Sequence, residues 1–410
     1  MRVLKLWTSE YPWDVRVEKV CQALTAGGHA VHLLARNRTR DALRETFPEC
    51  VVHRMRPWSR LGRRMDAASQ FPAFCNPRWM RHILKVGRAE QVDLILCRDL
   101  PLAPAAVWAG RRLGVPMVLD MAENYPAMIR DLWLTGATRF GDTLVRNPRA
   151  VEAVERWTVR RAGHIVVVVE ESRDRLVALG VPPDRITVVG NTPSASRLDR
   201  FPFPRPRDEE PRGRLEVVYL GLLEKARGVG TAIEAVALCR DRGVPVGFTI
   251  IGDGRGRQAF EEDATALGLT GDEIRFRGFL PYDEALDIVA GADVGLIPHL
   301  AHESWNSTIP NKLFDYMSAG LTVLASDARP TRRVIEETGC GLWFRSGDAE
   351  HLAEQMEALW RSETRKAHAG AGRAAIRDRF NWETDGARLV AALEGLARGP
   401  RADSRAPSSA

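Results

Sequence analysis

The chain has 410 residues, a length that calls for two domains of roughly 200 residues each rather than one core. Its 45% hydrophobic and 27% charged residues exclude a disordered or integral-membrane protein, and no apolar run reaches the roughly 18 residues of a membrane span. The formal net charge of +6 suits a polyanion, with nucleic acid, acidic lipid and nucleotide phosphate equally served by charge alone.

Met1-Arg2 leads directly into the short apolar run Val3-Leu4-Lys5-Leu6, without the apolar segment and cleavage site of a signal peptide, so a cytoplasmic address is expected. Cys21, Cys50, Cys75, Cys97, Cys239 and Cys340 have no paired spacing and read as reduced structural thiols. In the first half, Arg2 to Trp7, Ala30 to Ala35, Asp93 to Arg98, Pro116 to Asp120 and Ile165 to Val169 read as buried strands. Between the first two, Asp14 to Ala26 carries Val17, Val20, Cys21 and Leu24 at the spacing of one helical face, with Gly27-Gly28 as the stop. Such alternation predicts a parallel sheet covered by helices.

From Arg54 to Phe74, Arg54, Arg56, Arg60, Arg63 and Arg64 alternate with Trp58, Leu61, Met65, Phe71 and Phe74, a mixture that suits an anionic membrane surface or lipid-linked acceptor as well as it suits a plain surface loop. RNA is disfavoured because no stacking platform on a sheet is apparent, so nucleic acid is not expected as a partner. After the strand ending at Asp120, Asp120, Glu123 and Asn124 are placed either to orient an acceptor hydroxyl or to cap the turn.

The proline-rich, charged segment 191–214 reads as an interdomain linker between an N-terminal domain 1–190 and a C-terminal domain 215–379. Alternation restarts there: strands at Leu215 to Leu220, Gly247 to Ile251, Ile274 to Arg277, Val294 to Ile297 and Leu321 to Ala325, helices from about Gly230 to Arg242 and Arg257 to Leu267. A final helix over 380–396 and a disordered tail over 397–410 complete the chain.

In open parallel sheets ligands sit beyond the C-terminal strand ends, so the loops leaving these strands take priority. GLLEKARGVG frees the backbone at Gly221, Gly228 and Gly230 and adds Lys225 and Arg227, the composition of an anion site and also of an ordinary tight turn. In the segment Gly252-Asp253-Gly254-Arg255-Gly256 the third glycine comes too early for the dinucleotide fingerprint, which argues against a dehydrogenase. His302 to Gly320 predicts a helix with Pro310 in its first turn, Ser307 or Thr308 near the cap, and Gly320 at the end. On it Lys312 and Asp315 share a face: a lysine beside free N–H groups for phosphate, an aspartate one turn deeper for two hydroxyls, as a ribose diphosphate requires. His299 and His302 lack the spacing and cysteine partners of a metal pair, and no metal ligand is expected.

These segments resemble the family-4 retaining glycosyltransferases of GT-B fold over nearly the whole chain. YPWDVRVEKVCQALTAGGHAVHLLAR is similar to the family's opening, ITVVGNTPS to its interdomain exit, and GLLEKARGVG to its first donor loop. IPNKLFDYMSAGLTVLASD is similar to its donor helix, and Phe380-Asn381-Trp382-Glu383 to the start of its final helix, which crosses back onto the N-terminal domain. The resemblance implies an α/β fold of two Rossmann-like parallel-sheet domains facing a central cleft, the first on the acceptor side and the second binding the donor. It implies a retaining, metal-independent hexosyltransferase that uses a nucleoside-diphosphate sugar as donor substrate, needs no cofactor, and acts on a surface glycan or lipid-linked acceptor, in the cytoplasm or peripherally on the inner face of the plasma membrane.

By resemblance the diphosphate lies against Arg227, Lys312 and the backbone near Gly221 and Gly228, Asp315 takes the ribose hydroxyls, and Arg277-Gly278-Phe279 flanks the base. Gly252, Gly254 and Asn311 complete the donor set, and Glu123 and Glu303 join Arg227 and Lys312 as catalytic candidates. Three positions depart from the family pattern: Ser307 where the first of two acids usually stands, Leu222 in place of an arginine, and Ala122 in place of a histidine. Glu303 is the candidate substitute for the missing acid, and Glu123 gains interest beside Ala122. A nucleotide-sugar epimerase of the same fold and a nonenzymatic sugar-nucleotide or anionic-lipid binder are the competing readings.

Overall fold

A computed structural model describes residues 1–12, 14–39, 41–56, 74–134, 147–204 and 213–398. Most of the arginine-aromatic segment 54–74, part of the segment 191–214 and all of the tail beyond Arg398 lie outside these residues. The chain divides into two compact units, Met1–Gly190 with Asp385–Ala410, and Asn191–Thr384.

Among the described residues the first unit carries eight strands: β1 Arg2–Leu6, β2 Ala30–Ala35, β3 Arg44–Phe47, β4 Cys50–Arg54, β5 Leu94–Arg98, β6 Met117–Met121, β7 His164–Val167 and β8 Ile186–Val188. They lie in the order β3-β4-β2-β1-β5-β6-β7-β8, and β3 alone runs antiparallel, as a hairpin partner of β4. β1, β5, β6 and β7 are almost wholly buried because helices cover both faces, which is why they read as apolar runs. Leu4, Leu6, Ile95, Leu119 and Ile165 centre the core. β3, β4 and β8 escaped the sequence reading: β3 is exposed, β4 alternates and β8 is three residues long.

The second unit holds a six-stranded, wholly parallel sheet: β9 Leu215–Leu220, β10 Val246–Ile251, β11 Ile274–Gly278, β12 Val294–Ile297, β13 Thr322–Ser326 and β14 Gly341–Phe344. Its order β11-β10-β9-β12-β13-β14 reverses direction between β9 and β12, the point where open α/β sheets leave a crevice beyond the strand ends. The β9–β12 ladder pairs only Val217 with Val294 and Val218 with Gly295. Above it the hydroxyl of Tyr316 bridges the two strands, accepting from Leu220 N at 3.0 Å and donating to Leu296 O at 3.4 Å. Gly295 makes room, since a Cβ there would lie 2.2 Å from the Tyr316 ring.

Two boundaries differ from the sequence expectation. The segment expected as an irregular connection contains a 3-10 helix, Ala195–Arg200, with Leu198 and Phe201 buried. Its start is tied to the last helix, where Glu383 accepts from Ser194 Oγ and Ala195 N and Pro193 O accepts from Trp382 N. That last helix spans Trp382–Arg398, beyond the expected end at 396, and from Asp385 it belongs to the first unit, with Leu389 and Leu393 buried.

Candidate functional site

The loops leaving β9 and β12 meet at the reversal point of the second sheet. Residues Lys225–Arg227 form one 3-10 turn ending in Gly228 at φ 67°, and a Cβ at Gly228 would sit 1.8 Å from Pro298 O, directly after β12. Only glycine permits that approach. It brings Arg227 to His299: the guanidinium Nη1 donates to Nε2 at 3.0 Å, and its carbon lies 4.6 Å from the Trp305 ring centre. Trp305 lies against His299 with the rings tilted by 45° and their centroids 4.3 Å apart.

Lys312 begins the helix Lys312–Ala319, flanked by Asn311 and closed by Gly320 in the left-handed region. Ser307 and Thr308 do not cap it: Trp305–Ser307 forms its own 3-10 turn, and Pro310 and Asn311 turn the chain into the helix. The Lys312 ammonium lies over the Tyr219 ring at 4.0 Å and so close to Gly221 that a Cβ there would be 2.7 Å from Nζ. Glycine at 221 therefore keeps the space above β9 open for the lysine.

Electrostatics at this point favour an anion. Burial and the neighbouring Arg227 push the Lys312 ammonium well below its usual range, against the pull of Asp315. Burial, Lys312 and Arg227 likewise push His299 well below the ordinary imidazole value. A neutral His299 fits the geometry, because Nε2 must carry a lone pair to accept from Arg227. Arg227 and the Lys312 side chain thus adjoin a neutral, buried imidazole beside strand-end backbone.

The other expected donor residues divide into two groups. Gly252 and Gly254 interlock with the first loop: a Cβ at Gly252 would meet Gly221 O at 1.9 Å and one at Gly254 would meet Leu223 O at 2.4 Å. Gly252 N donates to Gly278 O at 2.8 Å, linking the β10 and β11 loops. Arg277 and Phe279 are exposed beside Gly278. Asn311 Oδ1 accepts from Asn191 at 2.9 Å. Asp315, expected to await a ribose, is nearly buried, and its Oδ1 accepts from Arg197 and, at 3.0 Å, from Tyr282. Glu303 accepts from Arg329 through both carboxylate oxygens, at 3.1 and 3.0 Å, on the exposed side of its loop. Leu222 is exposed, and its carbonyl accepts from the Tyr219 hydroxyl at 2.8 Å.

In the first unit the end of β6 and the residues after it take three roles. Asp120 is fully enclosed and paired with Arg16 at 2.7 Å and Lys5 at 3.5 Å; these cations outweigh the burial penalty and hold its carboxyl well below the usual range. Asn124 caps the following helix by accepting from Ala127 N at 3.2 Å. Glu123 is exposed and Ala122 buried. Beside them at the end of β5, Asp99 adopts φ 57° and ψ 175°, a strained backbone for a non-glycine residue, while its Oδ1 accepts from Ala122 N at 3.0 Å.

Sequence reasoning missed His299, Tyr219, Trp305, Arg197 and the Arg98-Asp99 pair. His299 was weighed only as a metal ligand; its position directly after a buried strand at the reversal point was the available signal. Arg16 stands within YPWDVRVEKVCQALTAGGHAVHLLAR, the segment similar to the family's opening, and its partner Asp120 is distant in sequence.

Two family descriptions match the chain, a glycosyl transferase 4-like domain over residues 14–192 and glycosyl transferases group 1 over residues 214–362. The chain belongs to the family-4, group 1 glycosyltransferases. Similar family members include the 2-deoxystreptamine glucosyltransferase of Streptomyces kanamyceticus, 32% identical over 60% of this chain and 60% of that relative. The amylovoran biosynthesis glycosyltransferase AmsK of Erwinia amylovora is 30% identical over 54% of each chain, so these matches reach little more than half of the relatives' own length. Among solved structures, Anabaena Alr3699/HepE in complex with UDP superposes with a TM-score of 0.68 at 17% identity, covering 97% of this chain and 100% of that one. This glycosyltransferase thus has the GT-B fold of two parallel-sheet domains.

Proposed function

We propose that this chain transfers a hexose-type sugar, with retention of anomeric configuration and without a metal ion, from a nucleoside-diphosphate donor to a surface-polysaccharide or lipid-linked acceptor. The observation that carries the reading is the convergence of Arg227 and Lys312 at the β9–β12 reversal, where neutral His299 and glycine backbone leave their charge for a diphosphate. In this role the two cations stabilise the departing nucleoside diphosphate, whose leaving oxygen accepts the acceptor's proton. The UDP of the similar Alr3699/HepE structure supports the same donor class, and the amylovoran biosynthesis named for AmsK supports a biosynthetic glycosyl transfer.

A phosphate-bearing acceptor and peripheral attachment to an anionic inner membrane face find support in the first unit. There a hollow of about 600 Å³ is lined by Arg54, Arg56, Arg78, Arg81 and Lys85, with no carboxylate among the described residues that line it. Among the described residues no helix is long and apolar enough to cross a membrane. Incubation with a panel of radiolabelled nucleoside-diphosphate sugars and cell-envelope lipid or polysaccharide extract tests the reading. Release of nucleoside diphosphate together with label in the acceptor supports transfer, epimerised donor supports the rival enzyme, and saturable binding without turnover refutes both. Charge reversal at Arg56, Arg81 and Lys85 should reduce sedimentation with anionic vesicles; unchanged sedimentation rejects the membrane contact.

A further inference from the structure

His32 on β2, His53 on β4 and Glu90, which follows the helix Pro77–Ala89, bring three metal-ligating groups together in the first unit. The parallel register sets His32 against Val51 and Leu34 against His53, so the two imidazoles are diagonal neighbours on one face of the sheet. His32 Nδ1 lies 3.2 Å from His53 Nε2, 3.8 Å from Glu90 Oε2, and His53 Nε2 lies 3.7 Å from Glu90 Oε1. A tetrahedral zinc ion with ligands at about 2.0–2.1 Å needs ligand atoms about 3.3–3.4 Å apart; the imidazole pair lies close to this, each imidazole nitrogen comes within half an ångström of it to one of the two Glu90 oxygens, and one atom from each residue lies within 4.8 Å of the other two.

A hydrogen bond between neutral imidazoles explains the shortest of these separations and nothing more. The ring nitrogens of His32 and His53 lie 3.8 and 3.7 Å from oxygens of Glu90, beyond hydrogen-bonding distance. We propose that His32 Nδ1, His53 Nε2 and the Glu90 carboxylate bind a zinc ion, with the remaining position held by water or by His82, which lines the same hollow as His53. Arg44 competes for Glu90 Oε1 at 3.4 Å, but it is 63% exposed, and such surface pairs are worth little against a doubly charged ion.

The bound ion would fasten β2, β4 and the end of the helix Pro77–Ala89 to one another. This proposal is independent of the donor reading, whose residues lie in the other unit. The test uses the full chain, stripped with chelator and kept reduced, titrated with zinc against a chromogenic competitor and separately with cobalt(II). One equivalent of zinc is expected, with affinity falling at least about tenfold in each of His32→Gln, His53→Gln and Glu90→Gln. Cobalt should give the intense visible bands of a tetrahedral nitrogen and oxygen site in the unmodified protein, a readout that needs no variant to fold. Failure to compete for zinc, affinity unchanged in the two histidine variants, a weak octahedral cobalt spectrum, or a thiolate charge-transfer band implicating exposed Cys75 would each overturn the assignment.

Discussion

Replacing Lys312 by methionine separates a binding residue from a structural one, because the two roles predict opposite signs. Methionine retains the unbranched apolar stem that lies against Tyr219 and Gly221 and removes only the ammonium. In the free protein that ammonium is half-buried beside Arg227, and its charged form is disfavoured there, so the variant should unfold at the same or slightly higher denaturant concentration. With a nucleoside diphosphate present, one charge-assisted phosphate contact is lost, costing about 1.5–3 kcal/mol, or about 10- to 150-fold in affinity. Isothermal titration with the diphosphates of uridine, guanosine and adenosine, paired with urea denaturation, reads both quantities. A change in dissociation constant below about twofold refutes the phosphate role. A stability loss comparable to the affinity loss refutes the idea that Lys312 is held at a cost for its ligand.

Three further outcomes follow from packing and charge. Gly228→Ala should lose at least about 2 kcal/mol in chemical denaturation and abolish donor binding, since the new methyl would overlap Pro298 O and the left-handed backbone would be strained. Asp120→Asn should cost about 3–5 kcal/mol, because Arg16 and Lys5 would remain buried without their carboxylate; near-wild-type melting would contradict that network. Burial lowers the imidazoles of His53, His82 and His164, with His53 at about 4 against an unfolded value of 6.5. The unfolded chain therefore binds more protons between about pH 4 and 6.5, and stability should fall as pH drops through that window, His53 accounting for up to about 3 kcal/mol. Denaturation of chelator-treated protein at pH 7.5 and 5.0 measures this, and a flat profile would refute it.

The apolar strands were legible because burial on both faces leaves a plain compositional trace: β2, β9 and β12 begin and end where the residues change character. Hairpin β3–β4 and the short β8 left no such trace, as one is solvated and the other depends on pairing with β7. At the candidate site, Arg227, Lys312 and the glycines were legible as local loop chemistry. The engagement of Asp315 by Arg197 and Tyr282 was not, because those partners lie 118 and 33 residues away, and only tertiary packing decides whether a carboxylate meets water, an arginine or a sugar. His32, His53 and Glu90 escaped for the same reason, being far apart in sequence and joined by strand register.

Tyr316 stands one helical turn beyond Lys312, and its phenol stitches a seam where two strands part. The Lys312 side chain is thereby referenced to the sheet through its own helix, so a change in the loop carrying Arg227 would alter one wall of the site while leaving the other as a fixed datum. Under the proposed donor reading, sequence change in that loop would leave the lysine's contact with a diphosphate in the same place.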